Sequence, residues 1–172
     1  IDLDTASGPA HVEAEVVLLA VGRRPSTDGL DPAAGGLEVH ADGRLVVDAQ
    51  LRTTADAVWA LGDVCSPHQL KHVANHEARI VAHNLAVDLG RRAGPVQRTD
   101  DRPVPHAVFG HPQVAAFGPT SADLDAAGTT YVSATQAFGD TAYGWALEDT
   151  TGLLTIHASP EGRILAAHAV GP

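Results

Sequence analysis

An aspartate that directly follows a short apolar run is well placed to hold a polar ligand. Asp63 stands there, behind Ala57-Val58-Trp59-Ala60-Leu61 and Gly62. Glycine lets another backbone or a ligand come close. A carboxylate accepts charge-assisted hydrogen bonds strongly and is costly to bury without a partner. Taken alone, such an aspartate is more often the cap of a turn; the intact segment Thr54 to Asp63 favours the ligand role. Gly22 and Arg23 follow a second apolar run, where a glycine also suits the turn. His72, His76 and His83 fall on one face of a helical pattern with Glu77 nearby, which admits a metal site. The order His-Glu-Ala-Arg is not the His-Glu-x-x-His zinc motif, and histidines on a polar face are more often solvated. Metal ligation is therefore not the primary reading. Cys65 is the sole cysteine, so the chain holds no intrachain disulfide and no redox-active pair. It reads as a small packed residue or an incidental thiol.

These residues need elements to position them. His11 to Val21 alternates and then runs apolar, which predicts a strand entering a buried sheet, ended by Gly22-Arg23-Arg24-Pro25. Asp42-Gly43 between Leu37–His40 and Arg44–Asp48 predicts a hairpin. A further strand is expected over Ala57–Leu61. The strongest helix runs from about His72 to Leu89, with Ala74, Ala78, Val81, Leu85 and Leu89 as its apolar stripe. Gly90 ends it, followed by Arg91 and Arg92. Ser66-Pro67-His68-Gln69 fits a capping box, so the helix starts either there or nearer Lys71. Arg91 to Pro105 is charged and proline-rich and reads as an interdomain connection. Beyond it are expected a strand (Ala107–Phe109), a short helix (Ser121–Ala127) and a hairpin of Leu153–His157 with Ile164–His168, turning at Ser159–Gly162.

The chain has 172 residues, 44 % hydrophobic and only 4 % aromatic, so its core must rest on Ala, Val, Leu and Ile. The formal charge of −10 disfavours nucleic acid and anionic membrane surfaces as partners. No apolar run approaches the length of a bilayer span. The first residue is Ile1, and Ala166 to Pro172 stops after a strand-like run, so both ends read as cut points in a longer protein.

Three segments in order carry a resemblance: Ala20-Val21-Gly22-Arg23-Arg24-Pro25, Thr54-Ala55-Asp56-Ala57-Val58-Trp59-Ala60-Leu61-Gly62-Asp63, and Phe109-Gly110-His111-Pro112-Gln113-Val114-Ala115-Ala116-Phe117-Gly118. Together they resemble the class I pyridine nucleotide–disulfide oxidoreductases, the family of glutathione reductase and dihydrolipoamide dehydrogenase. Leu70 to Arg79 and Tyr143 to Asp149 look most like its mycothione reductase branch, which reduces the disulfide of mycothiol with NADPH.

The resemblance implies an α/β fold: a fragment of a flavoprotein with two dinucleotide-binding domains, followed by part of an α+β dimerisation domain. Residues 1–24 would end the NAD(P)H-binding domain. Residues 25–95 would be the C-terminal part of the FAD-binding domain, and 96–172 the N-terminal part of the interface domain. It also implies FAD and NADPH as cofactors, a small-molecule disulfide substrate, a cytoplasmic homodimer in the full-length protein, and no nucleic-acid or membrane partner. Gly62 and Asp63 would meet the ribityl chain of FAD. The amides at Lys71 and His72 would face its pyrimidine ring. Ala20, Gly22 and Arg23 would lie beside the nicotinamide nucleotide. His111-Pro112 belongs to the third segment and is not the family's acid–base His-Pro. The redox cysteine pair and that histidine are not in this sequence, which implies that the fragment alone is inactive. The other readings are a sister enzyme, either dihydrolipoamide dehydrogenase or glutathione-reductase-like, and a non-catalytic dimerisation or His-rich metal-binding module.

Overall fold

The computed structural model describes residues 1–99 and 102–171. Asp100 and Asp101 of the expected connection, and Pro172 of the terminal run, lie outside the described residues.

The most regular region is an antiparallel five-stranded sheet. Its strands are β3 (His106–Val108), β4 (Gln113–Phe117), β5 (Val132–Ala137), β6 (Leu153–Ala158) and β7 (Ile164–Gly171), ordered β3-β4-β7-β6-β5. The expected hairpin is present: Ile156 pairs with Ala167 and Thr155 with His168. The Gly162 amide closes its turn on the Ser159 carbonyl at 2.8 Å. Helix α2 (Ser121–Ala126) begins with a reciprocal cap. Thr120 Oγ1 accepts from the Asp123 amide, and the Asp123 carboxylate accepts from the Thr120 amide. A short helix α3 (Ala142–Ala146) carries exposed Tyr143 and Trp145.

Gly118 is required by its surroundings. Its φ is +79°, and a Cβ there would run into the Leu165 carbonyl and lie 2.9 Å from Ala166 Cα. β4 therefore leaves the sheet tight against the start of β7.

The first part of the chain is less regular. A two-stranded ribbon pairs β1 (Asp2–Thr5) with β2 (Gly8–His11). The strand expected over His11–Val21 does not form. Pairing ends at Val12, which exchanges hydrogen bonds with Ile1, and Val16 to Val21 is open to solvent, with Leu18 86 % and Val21 93 % exposed. Among the described residues no strand lies beside this run to take its amides and carbonyls, so β-propensity alone does not build a strand. The Ala57–Leu61 strand reduces, for the same reason, to one antiparallel bridge between Arg52 and Trp59. The Asp42-Gly43 hairpin does form in miniature. Val39 bridges Leu45, and Gly43, at φ +88°, closes its amide on the His40 carbonyl. Leu45, Ala60 and Cys65 make the small core here, packed by Leu37, Val47 and Val64.

Helix α1 (Lys71–Asp88) starts at Lys71, not at the Ser66–Gln69 segment, and the expected capping box is absent. Its buried face is also turned from the expected stripe. The buried positions are Glu77, Ile80 and Asn84, whereas Leu85 and Leu89 are exposed. Two of these three are polar, and each is buried because it binds backbone. Asn84, with no exposed surface, accepts from the Gln97 amide at 2.7 Å and donates to the Gln97 carbonyl at 2.9 Å. The Thr99 amide reaches the Ala49 carbonyl at 2.8 Å. The start of the connection is thus tied back onto the first part of the chain.

Candidate functional site

Gly62 to Val64 forms a single tight turn, and Gly62 sits at φ +73°. A Cβ on Gly62 would meet Ala74 Cβ at 3.2 Å, so the turn lies directly on the second turn of α1. The Gly62 carbonyl accepts from the amides of Cys65 (3.0 Å) and Ser66 (2.8 Å). Its amide donates to Glu77 Oε2 at 2.6 Å. Asp63 therefore projects from a backbone fixed on both sides. Its side chain is half exposed, and Arg23 Nη1 approaches Asp63 Oδ2 at 3.4 Å.

Arg23 also donates through Nη2 to the Gln69 carbonyl at 2.9 Å. Gln69 holds a left-handed conformation, φ +47°, unusual for a residue with a side chain. Leu70 follows as the residue before α1, and no side chain caps the helix there. Among the described residues, the first amide of this helix to meet a backbone acceptor is that of Ala74, bonded to the Leu70 carbonyl at 3.0 Å. The leading amides at Lys71 and His72 are thus free to meet a ligand. Lys71 itself reaches Asn75 Oδ1 at 3.5 Å.

The structure brings Arg23, Gly62, Asp63 and the residues just before Lys71 into one cluster. It does not bring Ala20 or Gly22 into it. Both are exposed, and a Cβ on Gly22 would touch nothing within 4 Å. His72 borders two clefts between the first part of the chain and the sheet, of about 1110 and 610 Å³. Gly62 and Asp63 line neither of them. The cluster is an open shelf, not the floor of a cavity.

Cys65 is buried, with Sγ 3.6 Å from the Gly62 carbonyl. Burial, reinforced by the charge of Glu77, pushes its thiol up to about 12, so at neutral pH it is a protonated packing residue. His83 is taken up by structure, with Nε2 at 2.9 Å from the Pro95 carbonyl and Nδ1 at 3.1 Å from Arg92. Among the described residues no group of three or more His, Cys, Asp or Glu is arranged to hold a metal ion. No helix among them is long and apolar enough to cross a membrane.

Two site features escaped the sequence. Gln69 carries no signal of its own. Glu77 had one, a carboxylate three residues before Ile80 on the same helical face, but only the fold shows that its partner is the Gly62 amide.

Residues 3–78 match the family model described as "Pyridine nucleotide-disulphide oxidoreductase", and residues 104–172 match "Pyridine nucleotide-disulphide oxidoreductase, dimerisation domain". Mycothione reductase of Mycobacterium tuberculosis (strain ATCC 25618 / H37Rv) is 47 % identical over 161 residues, covering 93 % of this chain and 35 % of that protein. Dihydrolipoyl dehydrogenase of Halobacterium salinarum is 37 % identical over 161 residues, covering 93 % and 32 %. Among solved structures, the HOCl-induced flavoprotein disulfide reductase RclA from Escherichia coli superposes with a TM-score of 0.80 at 28 % identity, over 99 % of this chain and 38 % of that one. The chain spans about a third of the length of the curated relatives it matches.

Proposed function

The chain belongs to the pyridine nucleotide–disulphide oxidoreductase family, and from that premise we propose that it is part of an FAD-dependent, NADPH-using enzyme that reduces mycothione to mycothiol. The substrate reading is supported by the higher identity to mycothione reductase, 47 % against 37 % for the dihydrolipoyl dehydrogenase. In this reading residues 1–24 end the NAD(P)H-binding domain, 25–95 belong to the FAD-binding domain, and 96–172 open the interface domain of a cytoplasmic homodimer.

The observation that carries the cofactor reading is the seating of the Gly62–Asp63 turn on α1. A positive φ favours glycine, a side chain there would crowd Ala74, and an open carboxylate follows beside an uncapped helix start. These residues fit a flavin. Asp63 would accept a hydrogen bond from a ribityl hydroxyl, and the α1 amides at Lys71 and His72 would stabilise negative charge at the pyrimidine ring. The Arg23–Asp63 pair is long and solvated, so it competes weakly with such a hydroxyl. Arg23, with Ala20 and Gly22, would lie on the nicotinamide side. When bound, FAD supplies the hydride-accepting and disulfide-opening chemistry. No residue of this chain is assigned to bond breaking. With one cysteine the chain has no dithiol, and alone it should not turn over a disulfide.

The test is Asp63→Ala in the full-length protein. Loss of a charge-assisted hydrogen bond should weaken FAD binding roughly 10- to 100-fold. FAD retention equal to wild type through gel filtration and titration removes Asp63 from the site.

A further inference from the structure

We propose that Glu77 is a positioning residue for the cofactor: it sets where Asp63 stands by holding the Gly62 amide. The inference rests on the reading of Asp63 given above. Glu77 is 5 % exposed, an expensive place for a carboxylate unless hydrogen-bonded. Its partner is the Gly62 amide, 15 residues earlier, at 2.6 Å, a short bond to a charged acceptor.

The geometry makes this bond decisive for Asp63. Gly62 is the first residue of its turn, so its amide has no acceptor within that turn. Its carbonyl is already committed to the Cys65 and Ser66 amides. A Cβ on Gly62 would crowd Ala74 Cβ, so the turn packs closely on α1. With the carbonyl held by Cys65 and Ser66 and the amide drawn to Glu77, the peptide units on both sides of the Gly62 Cα are hydrogen-bonded, and Asp63 is the next residue along. Glu77 and Ala74 lie one turn apart on the helix that starts at Lys71. One rigid element therefore fixes both the acid and the free amides at its own start.

A residue that merely packed the helix would be served as well by an apolar side chain. The hydrogen-bond role makes a different demand, for an acceptor at the reach of a glutamate. Glu77→Gln keeps an oxygen at that reach. Glu77→Asp keeps the charge but is shorter by one methylene. Glu77→Leu keeps the volume and loses the acceptor.

The experiment is FAD titration of the full-length apoprotein, with the visible flavin spectrum and the thermal midpoint of the apoprotein recorded for each variant. Glu77→Gln should bind FAD within about threefold of wild type, whereas Glu77→Asp and Glu77→Leu should weaken it roughly 10- to 100-fold. Adding Asp63→Ala to Glu77→Asp should cost no more than Asp63→Ala alone, because one residue acts through the other. If Asp63→Ala loosens FAD but Glu77→Asp binds it like wild type, the positioning role is overturned and the Asp63 reading survives. Additive losses in the double variant, or a Glu77→Gln as weak as Glu77→Leu, also overturn it. If Asp63→Ala itself changes nothing, both inferences fall together.

Discussion

Two stretches of this chain carry nearly the same strand signal and meet opposite fates. Val12 to Val21 is β-branched and apolar, yet it forms no strand and Val16 to Val21 lies open to solvent. Leu153 to Ala158 is no more apolar, yet it sits between β5 and β7 with hydrogen-bonded neighbours on both sides. The difference is the partner. A strand satisfies its backbone only through another strand, so the same residues form a sheet where one is within reach and remain irregular where none is. Helix α1 shows the contrast from the other side: its backbone bonds are internal, and it forms without a neighbouring helix.

The comparison breaks most visibly at Gly118. Gly118→Val would force a β-branched residue to φ +79° and drive its Cβ into the Leu165 carbonyl. Overpacking and backbone strain together should cost about 3 kcal/mol or more, read as a lower urea midpoint and lost near-ultraviolet dichroism from the sheet. A smaller effect is expected at Asp149, whose carboxylate accepts from the Thr151 and Gly152 amides, each at 2.9 Å, just before β6. Those bonds hold its pKa below the ordinary 3.8. A depressed folded pKa contributes stability that is present above 3.8 and lost as the pH falls through the lowered value. Asp149→Asn should therefore differ from wild type at neutral pH, and urea titrations should converge as the pH drops well below 3.8. The smallest change belongs to the solvent-exposed run. Leu18→Asn should shift the urea midpoint by no more than about 0.5 kcal/mol equivalent, since the side chain has almost no buried surface to lose. A large destabilisation there would mean that Val12 to Val21 is packed after all.

Much of the second half of the chain was legible from local chemistry. The short helix at Ser121–Ala126 and the hairpin of β6 and β7 with its turn at Ser159–Gly162 are each encoded within a few residues. Of the candidate site, Gly62, Asp63 and the helix starting at Lys71 were legible too, because glycine, carboxylate and helical period are all short-range signals.

What the sequence alone determined is the set of local possibilities: where the chain turns, where it can coil, and which family its ordered segments match. What only the tertiary structure decided is which possibilities are used. The buried face of α1 went to Glu77 and Asn84 over the more apolar Leu85 and Leu89, because distant backbone groups at Gly62 and Gln97 needed partners. Arg23 met Asp63 and Gln69 across about 40 residues of chain. Hydrophobic period is a property of neighbours in sequence. The hydrogen-bond demand of a distant peptide is not, and here that demand selected the face of the helix that holds the site.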